Sequence, residues 1–126
     1  MYTAYGLLTP ATDFTLAAAR ERLQKKFPAA AVTLDKNIVK LGGSDWSFQL
    51  FINDRASIVE EHQTMAEKLG SAEDNPDVAN CVKRVELWSE TQDPFLEHFS
   101  DFQDIVVVLQ TFKGLIAVDP NEPAFM

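Results

Sequence analysis

Residues 32–53 read VTLDKNIVKLGGSDWSFQLFIN. Val32 and Leu34 alternate with Thr33 and Asp35, the period-two pattern of a strand with one buried side. Lys36-Asn37 suits a tight two-residue turn into a second strand, Ile38–Leu41. The Gly42-Gly43-Ser44-Asp45 cluster then predicts another turn, because glycine accepts a positive φ without a steric penalty. Trp46, Phe48, Leu50 and Ile52 alternate with Ser47, Gln49, Phe51 and Asn53, which completes a third strand. Three short strands joined this tightly form an antiparallel meander. That excludes a doubly wound parallel sheet and points to the α+β class.

Towards the N-terminus, Tyr2–Thr9 reads as a strand closed by Pro10. Thr12 or Asp13 is placed to cap a helix whose apolar face is Leu16, Ala19, Leu23 and Phe27, and Pro28 ends it. Towards the C-terminus, Asp54 is an N-cap candidate for a helix carrying Ile58, His62, Met65 and Leu69 on one face, with Gly70 at its end. Ser71–Asp77 is polar and reads as a loop, with a turn through Val78–Cys81 and a strand over Val82–Ser89. In that strand Val85 and Leu87 share one side, and Arg84, Glu86 and Trp88 the other.

Asp93-Pro94 has the signature of a helix start, an acidic cap followed by proline at the first helical position. Phe95, Phe99, Phe102, Val106 and Leu109 line one face of the predicted helix, widened by Leu96, Ile105 and Phe112. Lys113-Gly114 ends it, and Leu115–Val118 is a final short strand before Asp119-Pro120. The order is β-α-β-β-β-α-β-α-β. We expect one domain over residues 1–126, with a mostly antiparallel sheet of about five to six strands and amphipathic helices packed on one side.

The 126 residues are enough for one core, and the single cysteine, Cys81, excludes an internal disulfide framework. No apolar run approaches the roughly 20 residues that span a bilayer. Ala17-Ala18-Ala19 lacks a preceding basic residue and apolar stretch, so no signal peptide is expected, and the cytoplasm is the expected compartment. The net charge is −8, and it is uneven. Residues 1–44 carry six Lys/Arg and three Asp/Glu, a balance of +3, whereas residues 45–126 carry five and sixteen, a balance of −11. Such a field disfavours nucleic acid and anionic membrane and favours a basic protein partner.

Candidate chemistry is sparse. His62 follows Glu60-Glu61 but shares the apolar stripe of Ile58 and Met65, which suits a buried structural imidazole. His98 has Asp101 one helical turn on, an arrangement that orients an imidazole but does not fill a metal's coordination sphere. Cys81 opens a strand, where a small buried residue is ordinary. The Gly42-Gly43-Ser44 stretch joins two strands and lacks the lysine of a phosphate loop. No metal or cofactor is therefore expected.

Asp93, Glu97, Asp101 and Asp104 step by 4, 4 and 3 along the predicted last helix and form an acidic stripe opposite the phenylalanines. From these residues follows the expected function, a non-enzymatic interaction module using Glu97, Asp101 and Asp104 against a basic protein. Small acidic inhibitors of nucleases follow the same logic, with fixed carboxylates occupying sites made for phosphate. The alternative is a ligand-binding or catalytic domain with a pocket between sheet and helices, near Trp46, Trp88, His62 or His98. A homo-oligomer that pairs strand edges is a third arrangement.

Overall fold

Leu7 and Leu8 are neighbours on the first strand and both are fully buried, so that strand has an apolar layer on each side. In the computed structural model, which describes residues 2–42, 46–69, 78–89, 93, 96–121 and 124–126, it is a central strand of the sheet. The elements are β1 (Thr3–Leu8), α1 (Leu16–Lys26), β2 (Ala31–Asp35), β3 (Ile38–Gly42), β4 (Ser47–Asn53) and α2 (Ser57–Leu69). A 3-10 turn over Val78–Asn80 leads to β5 (Lys83–Trp88), α3 (Phe99–Gln110), β6 (Leu115–Asp119) and the two-residue β7 (Ala124–Phe125). All pairings are antiparallel, in the spatial order β2-β3-β4-β5-β1-β6-β7. The class and the element order are those read from the sequence, with β7 added at one edge.

The meander forms as its pattern requires. Asp35 pairs with Ile38 across a turn whose two residues, Lys36 and Asn37, have φ of 50° and 65°. Positive φ at both central positions matches the right-handed twist of the strands. The second turn, Gly43–Asp45, lies outside the described residues, as do Gly70, the 71–77 loop, Pro94 and Phe95.

Helix placement corrects the expectation of a one-sided arrangement. α1 and α3 cover one face of the sheet, where Ala19, Leu23, Phe102, Ile105 and Leu109 meet Ala4, Leu8, Phe48, Leu50 and Leu87. Arg22 ties these two helices together, donating to Thr111 Oγ1 at 2.9 Å and lying over the Phe112 ring. α2 packs on the opposite face, where Met65 joins Leu7, Val118, Val78 and Cys81. The cause is in β1 and β6. Leu7 stands opposite Ile116 and Tyr5 opposite Val118, so both strands present apolar residues to the second face, and only another helix can cover them.

Local caps also differ. α1 is capped by Thr15, whose hydroxyl accepts from the Ala18 N–H at 3.1 Å. Thr12 and Asp13 instead bind the loop after α3. The Thr12 hydroxyl donates to the Lys113 carbonyl, and Asp13 Oδ1 accepts from the Lys113 N–H. Gly114 sits in that crossing with φ +70°, and an added Cβ would lie 2.5 Å from Thr9 Oγ1. α2 begins at Ser57, three residues beyond the expected cap Asp54, after a turn in which Asn53 Oδ1 accepts from the Arg55 N–H. None of the helices among the described residues is long and apolar enough to cross a membrane.

Candidate functional site

The acidic residues singled out by spacing do not share one helix, because α3 begins at Phe99 rather than at Asp93. Asp93 turns inward and organises the entry. Its Oδ1 accepts from the Glu97 N–H at 2.9 Å, and its Oδ2 accepts from the His98 N–H at 2.8 Å and the Tyr2 hydroxyl at 2.6 Å. Burial alone would raise the Asp93 carboxyl, but these three donors outweigh it and hold it below the ordinary value. The Tyr2 hydroxyl is pushed up to about 12, by burial first and then by the Asp93 hydrogen bond and charge. Leu96 makes the turn with φ 56°, which throws its side chain outward instead of onto the predicted apolar face.

Glu97 is therefore an exposed turn residue, while Asp101 and Asp104 lie half-buried on α3. Asp101 Oδ2 is 3.3 Å from His98 Nδ1, and the His98 ring stacks on Trp46 with centroids 4.7 Å apart. Beside these carboxylates stand three large apolar side chains exposed to solvent: Leu96 at 64%, Phe99 at 40% and Val107 at 54%. Phe99 was expected in the core. It instead leans on the edge of Tyr2, at 5.8 Å between ring centroids. The turn before α3 and its outward side thus carry exposed apolar side chains as well as carboxylates, rather than a uniformly acidic stripe. Helical spacing could not separate the two, because α3 carries apolar residues on more than half its circumference.

The structure leaves little room for chemistry at His98. The void bounded by Tyr2, Trp46, Ser47, Ser89, Asp93 and His98 is about 10 Å³, the space of one water at most. Ser89 is committed to Tyr2, accepting from its N–H at 3.1 Å. A larger cavity of about 550 Å³ does lie along α2, lined by Tyr5, Ser57, Glu61, Thr64, Met65 and Lys68 among others. Trp46, Trp88, His62 and His98 are not among the described residues that line it. Trp46 borders a second, apolar groove of about 390 Å³ at the end of α1, with Phe27, Pro28 and Lys26. Among the described residues no three His, Cys, Asp or Glu side chains converge as metal ligands would.

Under α2 lies a polar cluster that spacing pointed to only in part. His62 is wholly buried, as its phase predicts, and Nδ1 donates to the Cys81 carbonyl at 2.7 Å. Next to it Arg84, 3% exposed, donates to Glu86 Oε2 at 3.2 Å and to Glu61 Oε1 at 3.4 Å, and lies over the Tyr5 ring. Asn53 Nδ2 donates to the same Glu86 oxygen at 2.7 Å. The visible signal for this cluster was the polar side of β5, Arg84 and Glu86, facing away from Val85 and Leu87. Comparisons with protein-family models, with curated proteins and with solved structures find no match.

Proposed function

We propose that this protein is a non-enzymatic interaction module that binds a basic protein partner through the outward side of α3 and the turn before it. Leu96, Phe99 and Val107 supply apolar anchors, and Glu97, Asp101 and Asp104 supply the charge that selects the partner. The observation that carries the reading is the exposure of those three apolar side chains on elements that also bear carboxylates, within residues 45–126, whose balance is −11. Interfaces concentrate affinity in a few apolar or aromatic anchors and use surrounding charge for selection and speed. The same charge disfavours nucleic acid and anionic membrane as partners, and the lone cysteine favours a cytoplasmic setting.

The test is a pull-down from lysate with wild type, with Phe99→Ser/Val107→Ser, and with Glu97→Lys/Asp104→Lys. Both variants should lose the partners that wild type retains at low salt. Recovery of the same partners by all three proteins overturns the proposal. The 550 Å³ cavity along α2 is the observation that favours the alternative, a small-ligand site, since pockets of this size hold small molecules. A ligand library scored by thermal shift separates the two readings, because a ligand that binds only the folded chain raises its melting temperature.

A further inference from the structure

Among the described residues, the contacts that hold α2 to the sheet include an apolar cluster and two side-chain polar contacts, one of them through an imidazole. The apolar part is Met65 with Leu7, Val78, Cys81 and Val118, separate from the main core under α1 and α3, and the fully buried Ile58 at the start of α2 adds to it. The polar contacts are His62 to the Cys81 carbonyl and Glu61 to Arg84. A carbonyl only accepts, so His62 Nδ1 carries the hydrogen and the neutral ring presents a bare Nε2. That Nε2 is buried and has no partner among the described residues, and the same holds for Arg84 Nη1. A bare lone pair is tolerable there. A second N–H in the same place would be a buried donor without an acceptor, on a cation set beside the Arg84 guanidinium.

We propose that His62 is a pH-sensitive latch, holding α2 against the sheet while its imidazole is neutral and releasing the helix when the ring takes a proton. The groups that face the ring are Arg84 on β5, which opposes protonation, Glu61 on α2 itself, which favours it, and the Cys81 carbonyl ahead of β5, which accepts from it in either state. Glu61 is half-exposed and already engaged with Arg84, so it cannot offset the loss of water around a buried imidazolium. Burial is the largest influence and holds the ring below the ordinary histidine value of 6.5, with Arg84 adding to it against the Cys81 carbonyl and Glu61. The released form therefore binds the proton more tightly. The latch is fully closed above about pH 6.5 and opens progressively as the pH falls below that.

Cys81 is a built-in reporter, since it is the only cysteine and is buried beneath α2. Its labelling by 4,4′-dithiodipyridine, which reacts in mild acid, is measured on the native protein and divided by the rate for the urea-unfolded chain at the same pH. On acidification from neutrality, the relative rate should rise by up to tenfold for each pH unit by which the His62 ring value lies below 6.5. In a Trp88→Phe background, the emission maximum of Trp46 should stay native over that range, because Trp46 packs on Phe48 at the main core, on the face of the sheet opposite α2. His62→Gln should abolish the pH dependence of labelling. Three outcomes overturn the latch: a relative rate that does not change with pH, a rate that rises only as the fluorescence is lost, or an unaltered pH profile in His62→Gln. If His62→Gln does not fold, NMR titration of the wild-type ring decides. A ring midpoint that coincides with the labelling midpoint supports the latch, and one that does not coincide overturns it.

Discussion

Phe99 and Phe102 lie three residues apart on α3, and their environments are opposite. Phe102 is 6% exposed and packs between Tyr2 and Phe48, with centroids at 5.1 and 6.3 Å. Phe102→Ala should therefore cost roughly 3–5 kcal/mol, the transfer free energy plus the cavity left behind. Phe99 is partly exposed, so Phe99→Ala should cost no more than about 1 kcal/mol. Denaturant titration of both variants checks the contrast, and equal losses would show that the rim and the core of α3 are wrongly assigned. Tyr2 provides a second residue-level test. Its hydroxyl is raised by burial and by Asp93, and only the second influence can be deleted without cutting the core. In a Tyr5→Phe background, Asp93→Asn should move the Tyr2 titration from about 12 back towards 10, read from phenolate absorbance. An unmoved midpoint would mean that the hydrogen bond at 2.6 Å does not persist in solution.

At the scale of elements, β2 is an exposed edge strand that α1 guards. Arg20 Nε donates to the Val32 carbonyl at 3.1 Å, and Gln24 Nε2 donates to the Ala30 carbonyl at 2.9 Å. These residues are one helical turn apart, so they occupy carbonyls two residues apart, Val32 on β2 and Ala30 just before it, acceptors that a second copy's strand would otherwise use. Arg20→Ala/Gln24→Ala should lower stability by about 1–3 kcal/mol through three lost hydrogen bonds, since Gln24 Nε2 also donates to the Phe27 carbonyl at 3.2 Å, and should shift the protein towards larger species at high concentration. Light scattering across a concentration series tests this, and a variant that behaves like wild type removes the guarding role. The meander was legible because strand alternation and turn chemistry are local: Val32–Leu34, Lys36-Asn37 and Phe48–Ile52 carry their own instructions. The α3 start was not. Asp93-Pro94 has the form of a cap, yet the Asp93 carboxylate is held by Tyr2, 91 positions away, and receives amides four and five residues on. The side taken by α2 was half legible, in the adjacent Leu7 and Leu8 and in Ile116 and Val118. A period-two reading that looks for a single buried face passes over them.

At the scale of the whole molecule, the net charge of −8 is the property that reaches furthest. Glu97, Asp101 and Asp104 were singled out as an acidic stripe, but Asp101 contacts His98 Nδ1 at 3.3 Å, so reversing it would disturb the entry to α3 as well as the field. Glu97→Lys/Asp104→Lys avoids that confusion. Each change adds two units, which moves the net charge from −8 to −4. Glu97 keeps its structural part whatever its side chain, because Asp93 receives the backbone N–H of residue 97 and not its carboxylate. The melting temperature should therefore move by only a degree or two, in keeping with surface substitutions within about 0.5 kcal/mol. Binding should change far more, and in a particular way. Opposite fields accelerate encounter, so the loss should fall mainly on association, by about tenfold or more at low salt, with dissociation little altered. Raising the ionic strength from about 0.01 to about 0.15 M shortens the screening length from about 30 to about 8 Å, so it should slow wild type towards the variant and leave the variant nearly unchanged. Phe99→Ser should show the complementary pattern, faster dissociation with an unchanged salt slope, because an apolar anchor acts after contact is made. Surface plasmon resonance with the captured partner reads association and dissociation for all three proteins. Parallel salt slopes for wild type and the double lysine variant would remove the carboxylates from recognition and leave them as the solvated rim of α3.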